Sequence, residues 1–106
     1  MEINQMLKEM QTALEDKKGR DILVLDVRGK TSVCDYFIIA SGSSSSQVRA
    51  LSESVEERLG KLGVEKKRRE GFTDGRWVVL DYGDVVVHIF QDEMRLFYHL
   101  ETLWKE

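Results

Sequence analysis

The chain of 106 residues has no proline and one cysteine, Cys34. Without proline, its turns must come from Gly, Asp and Ser. A lone cysteine excludes an internal disulfide and cannot by itself build a zinc cage. It fits a reducing compartment, and the cytoplasm is the expected location. No apolar run approaches the roughly 20 residues that span a bilayer, so no membrane partner is expected. The opening "MEINQMLKEM" is acidic and amphipathic, unlike a signal peptide. A basic excess is also missing. The net charge of -3 argues against wholesale wrapping of nucleic acid and leaves a basic protein partner open. What is present, 42% hydrophobic and 33% charged residues, suits one globular domain over residues 1–106 and not two.

Periodicity sets the expected elements. Ile3, Met6, Leu7, Met10 and Leu14 fall at helical spacing, and "EDKKGR" should end that helix, with lysines in the last turn and Gly19 as its C-cap. "DILVLDV" (21–27) and "YFIIA" (36–40) read as strands, the second apolar on both faces and therefore central. Val48, Leu51, Val55, Leu59 and Leu62 predict a second helix ending near Gly60 or Gly63. "VEKKRRE" suits an edge strand. "RWVVLDY" and "VVVHIF" flank the short turn "GD" as a hairpin. Leu96, Phe97, Leu100, Leu103 and Trp104 predict a last helix, N-capped by Asp92. The order α-β-β-α-β-β-β-α is an α/β (α+β) layer structure, a single mixed sheet with helices packed against it.

"IASGSSSSQVRA" (39–50) has the outline of a phosphate loop. It lacks the second glycine and the lysine of a Walker loop, and the three glycines of a dinucleotide fingerprint. Gly42-Ser43 at a helix start resembles the Gly-Ser pair of nucleotidyltransferases, but no strand carries the Asp-x-Asp that would hold their two metal ions. The capping reading is stronger. Ser44 and Gln47 form a Ser-x-x-Gln box, in which the serine hydroxyl accepts from the Gln47 amide and the glutamine reaches back to the Ser44 amide. Gly42 would permit the tight exit from the strand.

Other candidates read as structural. His88 and His99 have no second ligand at metal spacing, so each is expected to be a satisfied structural histidine. Cys34 has no base beside it, and Asp35 would raise its pKa. Asp26 suits a turn or a pair with Arg28. Lys66, Lys67, Arg68 and Arg69 suit a solvated face rather than a phosphate site. No catalytic residue, metal or cofactor is expected. The hairpin is more informative. Trp77, Val79 and Asp81 share one face, and Val78, Leu80 and Tyr82 share the other. Both are apolar, so part of the hairpin is either an exposed partner patch or covered by the last helix.

The series "DILVLDV", "DYFIIASG-S--QVRA", "EG-----WVVLDYGDVVVHIF" and "R--Y-LE-LW", from about Asp21 to Trp104, resembles the ribosomal silencing factor (Iojap-like) family. Ser41 stands where that family usually has threonine, and Ser46 where arginine is common. The resemblance implies a nucleotidyltransferase-like fold without the catalytic carboxylates, hence a binding protein and not an enzyme. It implies binding to the large ribosomal subunit through its fourteenth ribosomal protein, steric blocking of small-subunit joining, and repression of translation when nutrients are scarce. The residues expected at that contact are Trp77, Leu80, Asp81 and Tyr82, with Glu70 and Arg95 at the rim. Alternation along a flat strand means that Trp77 and Leu80 cannot both face the partner. A peripheral contact with ribosomal RNA and a homodimer of the free protein complete the expected partners. The alternative is a nucleotide-binding enzyme of nucleotidyltransferase type.

Overall fold

The computed structural model describes residues 1–94. Its elements are α1 (Ile3–Asp16), β1 (Arg20–Asp26), β2 (Tyr36–Gly42), α2 (Ser45–Lys61), β3 (Arg68–Glu70), β4 (Trp77–Asp81) and β5 (Val85–Gln91). The expected order is thus found as far as the last strand. Residues 92–94 are helical where the last helix is expected to begin, and the rest of that helix, with Arg95 and His99 on it, lies outside the described residues. No helix among the described residues is long and apolar enough to cross a membrane.

The strands form one five-stranded sheet in the order β1-β2-β5-β4-β3. β2 and β5 pair in parallel and every other neighbour is antiparallel. As expected, β2 is an inner strand and the basic β3 is an edge, though only three residues long. In the β4–β5 hairpin the Tyr82 N–H donates to the Val85 carbonyl across Gly83 and Asp84. The Gly83 N–H donates to Asp81 Oδ1 at 2.8 Å.

Both helices lie on one side of the sheet. Met10 and Leu14 of α1 and Leu51, Val55 and Leu59 of α2 are buried with Ile38, Ala40, Val78, Leu80, Val87 and Ile89 of the strands. Full burial of each such Leu or Ile contributes about 2 kcal/mol. Polar bonds tie the helices together. Ser54 Oγ donates to the Ala13 carbonyl at 2.8 Å, and Arg58 Nε to Glu9 Oε1 at 2.6 Å.

Both helices end in the same motif. In α2 the Val64 and Gly63 N–H groups bond the Leu59 and Gly60 carbonyls, and Gly63 takes φ +82°. In α1 the Gly19 and Lys18 N–H groups bond the Leu14 and Glu15 carbonyls, but the left-handed residue is Lys18, at φ 63°. Gly19 is therefore not the left-handed cap, and no lysine lies in the last turn of α1. The glycine is one position late because it meets a different demand: a Cβ there would lie 3.0 Å from the Leu14 carbonyl oxygen. Lys18→Gly should consequently raise stability by about 1 kcal/mol, by removing the left-handed penalty of a side-chain-bearing residue. Urea unfolding at neutral pH measures it, and an unchanged midpoint would show that Lys18 is unstrained.

Candidate functional site

The serine segment is a helix start whose polar groups are already engaged. Ser44 is the N-cap of α2, its hydroxyl accepting from the Gln47 N–H at 3.1 Å. The expected return bond is displaced by one residue. Gln47 Oε1 accepts from Ser43, from its N–H at 2.6 Å and its hydroxyl at 2.9 Å, rather than from the Ser44 amide. The reason is non-local: Gln47 Nε2 donates to the Lys17 and Lys18 carbonyls at 3.3 and 3.1 Å, which turns the amide toward the end of α1. Ser45 Oγ accepts from Gln91 Nε2 at 2.8 Å. Gly42 is closely packed by the start of α2: a Cβ there would lie 3.1 Å from Val48 Cγ2, which would have to shift. The 71–76 loop closes over the same end, with Arg49 Nη1 donating to the Thr73 carbonyl.

Three residues of the basic run are likewise engaged. Lys66 and Arg69 both pair with Glu56, at 2.7 and 3.1 Å, which staples β3 to α2. The Arg69 guanidinium also stands 3.9 Å over the Phe72 ring. Arg68 faces Asp81 at 3.6 Å. Between the end of α1 and the side of α2 lies a trough of about 600 Å³ lined by Asp16, Glu57, Arg58 and Lys61 among others. Its charges neutralise one another, Arg58 with Asp16 and Lys61 with Glu57. No cluster of three or more His, Cys, Asp or Glu side chains able to hold a metal occurs among the described residues.

The sheet face away from α1 and α2 has a different character. Register puts Leu23 and Leu25 of β1, Phe37 and Ile39 of β2, Val86, His88 and Phe90 of β5, Trp77, Val79 and Asp81 of β4, and Glu70 and Arg68 of β3 on it. The face is apolar and aromatic across the middle strands and charged toward the β3 edge. Trp77 stacks on Phe90, ring centroids 4.9 Å apart at 28°. Trp77 Nε1–H donates to His88 Nδ1 at 3.1 Å. Phe37 meets the His88 ring edge-on at 4.8 Å.

The structure sorts the expected contact residues by face. Trp77 is half-buried on the aromatic face, Asp81 lies on the same face at the other end of β4, and Glu70 is exposed two strands from His88. Glu70 makes no ion pair among the described residues. Leu80 and Tyr82 do not join them. Leu80 is fully buried beneath the helices and Tyr82 is 7% exposed in the same core. The sequence shows two apolar faces on this hairpin, and only the placement of α1 and α2 decides which becomes core. Asp81 also has structural work, capping the hairpin turn and facing Arg68.

Burial governs the titrating groups. Desolvation, then the carboxylate of Asp35, pushes the Cys34 thiol up, so it is a packed thiol rather than a nucleophile. Burial and then the nearby Glu56 and Glu65 raise the Tyr82 hydroxyl. Asp26 is held down to about 2 by its hydrogen bonds from Arg28. His88 is pushed down to about 4 by burial and is neutral at pH 7. Among the described residues it is only half satisfied: Nδ1 accepts from Trp77, whereas Nε2 finds no hydrogen-bond partner there. The Trp77–His88 pair was legible in principle, since the two-residue turn places both side chains on one face, diagonal to each other across the hairpin.

A family model described as ribosomal silencing factor during starvation matches residues 1–106. The ribosomal silencing factor RsfS of Bacillus subtilis is 43% identical over 99 residues, which cover 93% of this chain and 84% of that protein. The chloroplastic protein Iojap of Zea mays is 36% identical over 92 residues, 87% of this chain and 40% of that protein. A crystal structure of a Chromobacterium violaceum protein superimposes with a TM-score of 0.95 at 44% identity, covering 98% of this chain and 87% of that one. Agreement in sequence and in fold over nearly the whole length leaves one conclusion: the chain belongs to the ribosomal silencing factor family.

Proposed function

We propose that this protein, acting as one domain, binds the large ribosomal subunit through the subunit's fourteenth ribosomal protein, and that from there it blocks joining of the small subunit and damps translation. The observation that carries this reading is family membership along the full chain. The aromatic face supplies the physics of the contact. Trp77 is an anchor of the type that dominates interface energetics, and desolvating its ring stabilises the complex. Glu70 and Asp81 flank it toward the β3 edge, where carboxylates complement a basic ribosomal protein and speed encounter. The net charge of -3 acts in the same direction. Leu80 and Tyr82 support the contact from the core side of the hairpin, and Trp77, Asp81 and Glu70 are the residues that meet the partner.

Separated ribosomal subunits mixed with the protein and run on a gradient test the reading. The protein should travel with the large subunit and reduce the amount of joined ribosome. Normal joining, with the protein left at the top of the gradient, would refute it. Trp77→Ala should weaken large-subunit binding about 30-fold, the loss expected of a hot-spot aromatic. Unchanged binding would remove Trp77 from the contact.

A further inference from the structure

The aromatic face contains a polar ring where an apolar one would pack more simply. His88 is 8% exposed, lies among Phe37, Trp77 and Phe90, and has no partner for its Nε2 among the described residues. A leucine or phenylalanine in its place would bring no polar atom of its own into the face. What the imidazole adds is one acceptor, Nδ1, and that acceptor takes the Trp77 indole N–H at 3.1 Å. Among the described residues the Trp77 ring is thereby fixed twice. The stack on Phe90 sets the plane of the indole, and the bond to His88 sets its rotation within that plane. His88 is itself held from the neighbouring strand by the edge-on Phe37 ring.

We infer that His88 is the positioning residue for Trp77, holding the indole in one rotamer so that the anchor meets the large subunit already ordered. The inference rests on the reading of Trp77 as a docking residue given above. A half-buried tryptophan at the first position of a strand has more than one accessible rotamer. Freezing such a side chain on binding costs affinity, and a partner already frozen in the free protein avoids that cost. Without the acceptor, binding should weaken by about five- to tenfold. The bond also dictates the tautomer: Nδ1 is bare and the proton is on Nε2.

Spectroscopy and sedimentation test this. In the native protein, nitrogen-15 spectra of the imidazole should show the Nε2-protonated tautomer for His88, and the opposite tautomer would overturn the inference with no variant involved. His88→Leu should then shift the Trp77 indole N–H resonance, with Trp104→Phe identifying the other indole, and weaken large-subunit sedimentation five- to tenfold. His88→Asn, whose Oδ1 falls near the position of Nδ1, should restore both. Trp77→Ala separates the two ideas. If it abolishes binding while His88→Leu moves the resonance and leaves binding intact, positioning by His88 is wrong and the docking face stands. If Trp77→Ala itself leaves binding unchanged, the docking reading fails and takes the inference with it.

Discussion

Gly71→Ala is expected to lower stability by about 3 kcal/mol or more, with a fall in Tm beyond about 10 °C. Gly71 follows β3 and opens the loop that returns the chain to Trp77. It has φ +78°, where a Cβ-bearing residue already costs about 1 kcal/mol or more. Space is the larger problem. An added Cβ would lie 2.1 Å from the Trp77 carbonyl oxygen, and the obstacle is backbone, which cannot swing aside as a side chain can. The start of β4 must move, and the Gly75 N–H to Gly71 carbonyl bond of 2.9 Å moves with it. Gly63→Ala is the matched control. Gly63 has φ +82° with nothing within 4 Å of an added Cβ, so it should lose only the conformational term, about 1 kcal/mol. Thermal unfolding of the two variants side by side checks the difference. Equal losses would show that the loop yields and that the close approach carries no energy. Because the displaced atom belongs to Trp77, Gly71→Ala should weaken large-subunit binding as well, and Gly63→Ala should not.

The protein should also lose about 3 kcal/mol of stability on acidification from pH 6.5 to pH 4, through His88 alone. In the unfolded chain this imidazole takes a proton near pH 6.5, whereas in the fold burial holds its pKa at about 4. Between those values the unfolded state binds a proton that the native state refuses, so unfolding is favoured as pH falls. Each pH unit within the window costs about 1.4 kcal/mol, and the loss is complete below pH 4. Urea midpoints measured at pH 7, 6, 5 and 4 should fall along that line, and His88→Leu should flatten it. A native protein as stable at pH 4.5 as at pH 7 would contradict the burial argument. The exposed Asp26, depressed to about 2 by Arg28, acts in a separate and lower window, since its contribution disappears only as pH falls below the carboxylate's ordinary 3.8.

What could be read from the sequence follows the range of the interaction involved. The strands and both described helices follow from local apolar spacing, and the Ser44 cap needs only its own four residues. Features that depend on another element were not legible in full. Gln47 bonds Ser43 because its other end reaches Lys17 and Lys18, about thirty positions back. Lys18 takes the left-handed position because Gly19 is needed against Leu14. The same limit applies to the candidate site. Alternation separates Trp77 and Asp81 from Leu80 and Tyr82, but the choice of buried face is made by α1 and α2. Whether His88 Nε2 finds a partner depends on what surrounds the ring in three dimensions.

The single parallel ladder has a kinetic consequence. β1 pairs with β2, and β4 with both β3 and β5, through short or moderate loops, so each half of the sheet can form from nearby chain. The two halves meet along β2 and β5, where Tyr36 faces Val85 and Gly42 faces Gln91, forty-nine positions apart at every rung. Closing that seam is the slow, high-separation step in forming the sheet, because the loop entropy is lost before any rung is gained. The aromatic face lies across the seam: Phe37 comes from one half, and His88, Phe90 and Trp77 from the other. An intermediate with both halves paired but unzipped therefore has its hairpins and lacks the Phe37 contact that closes the aromatic face. The aromatic face is thus among the last parts of the sheet to be completed, and its closure reports that the two halves have joined.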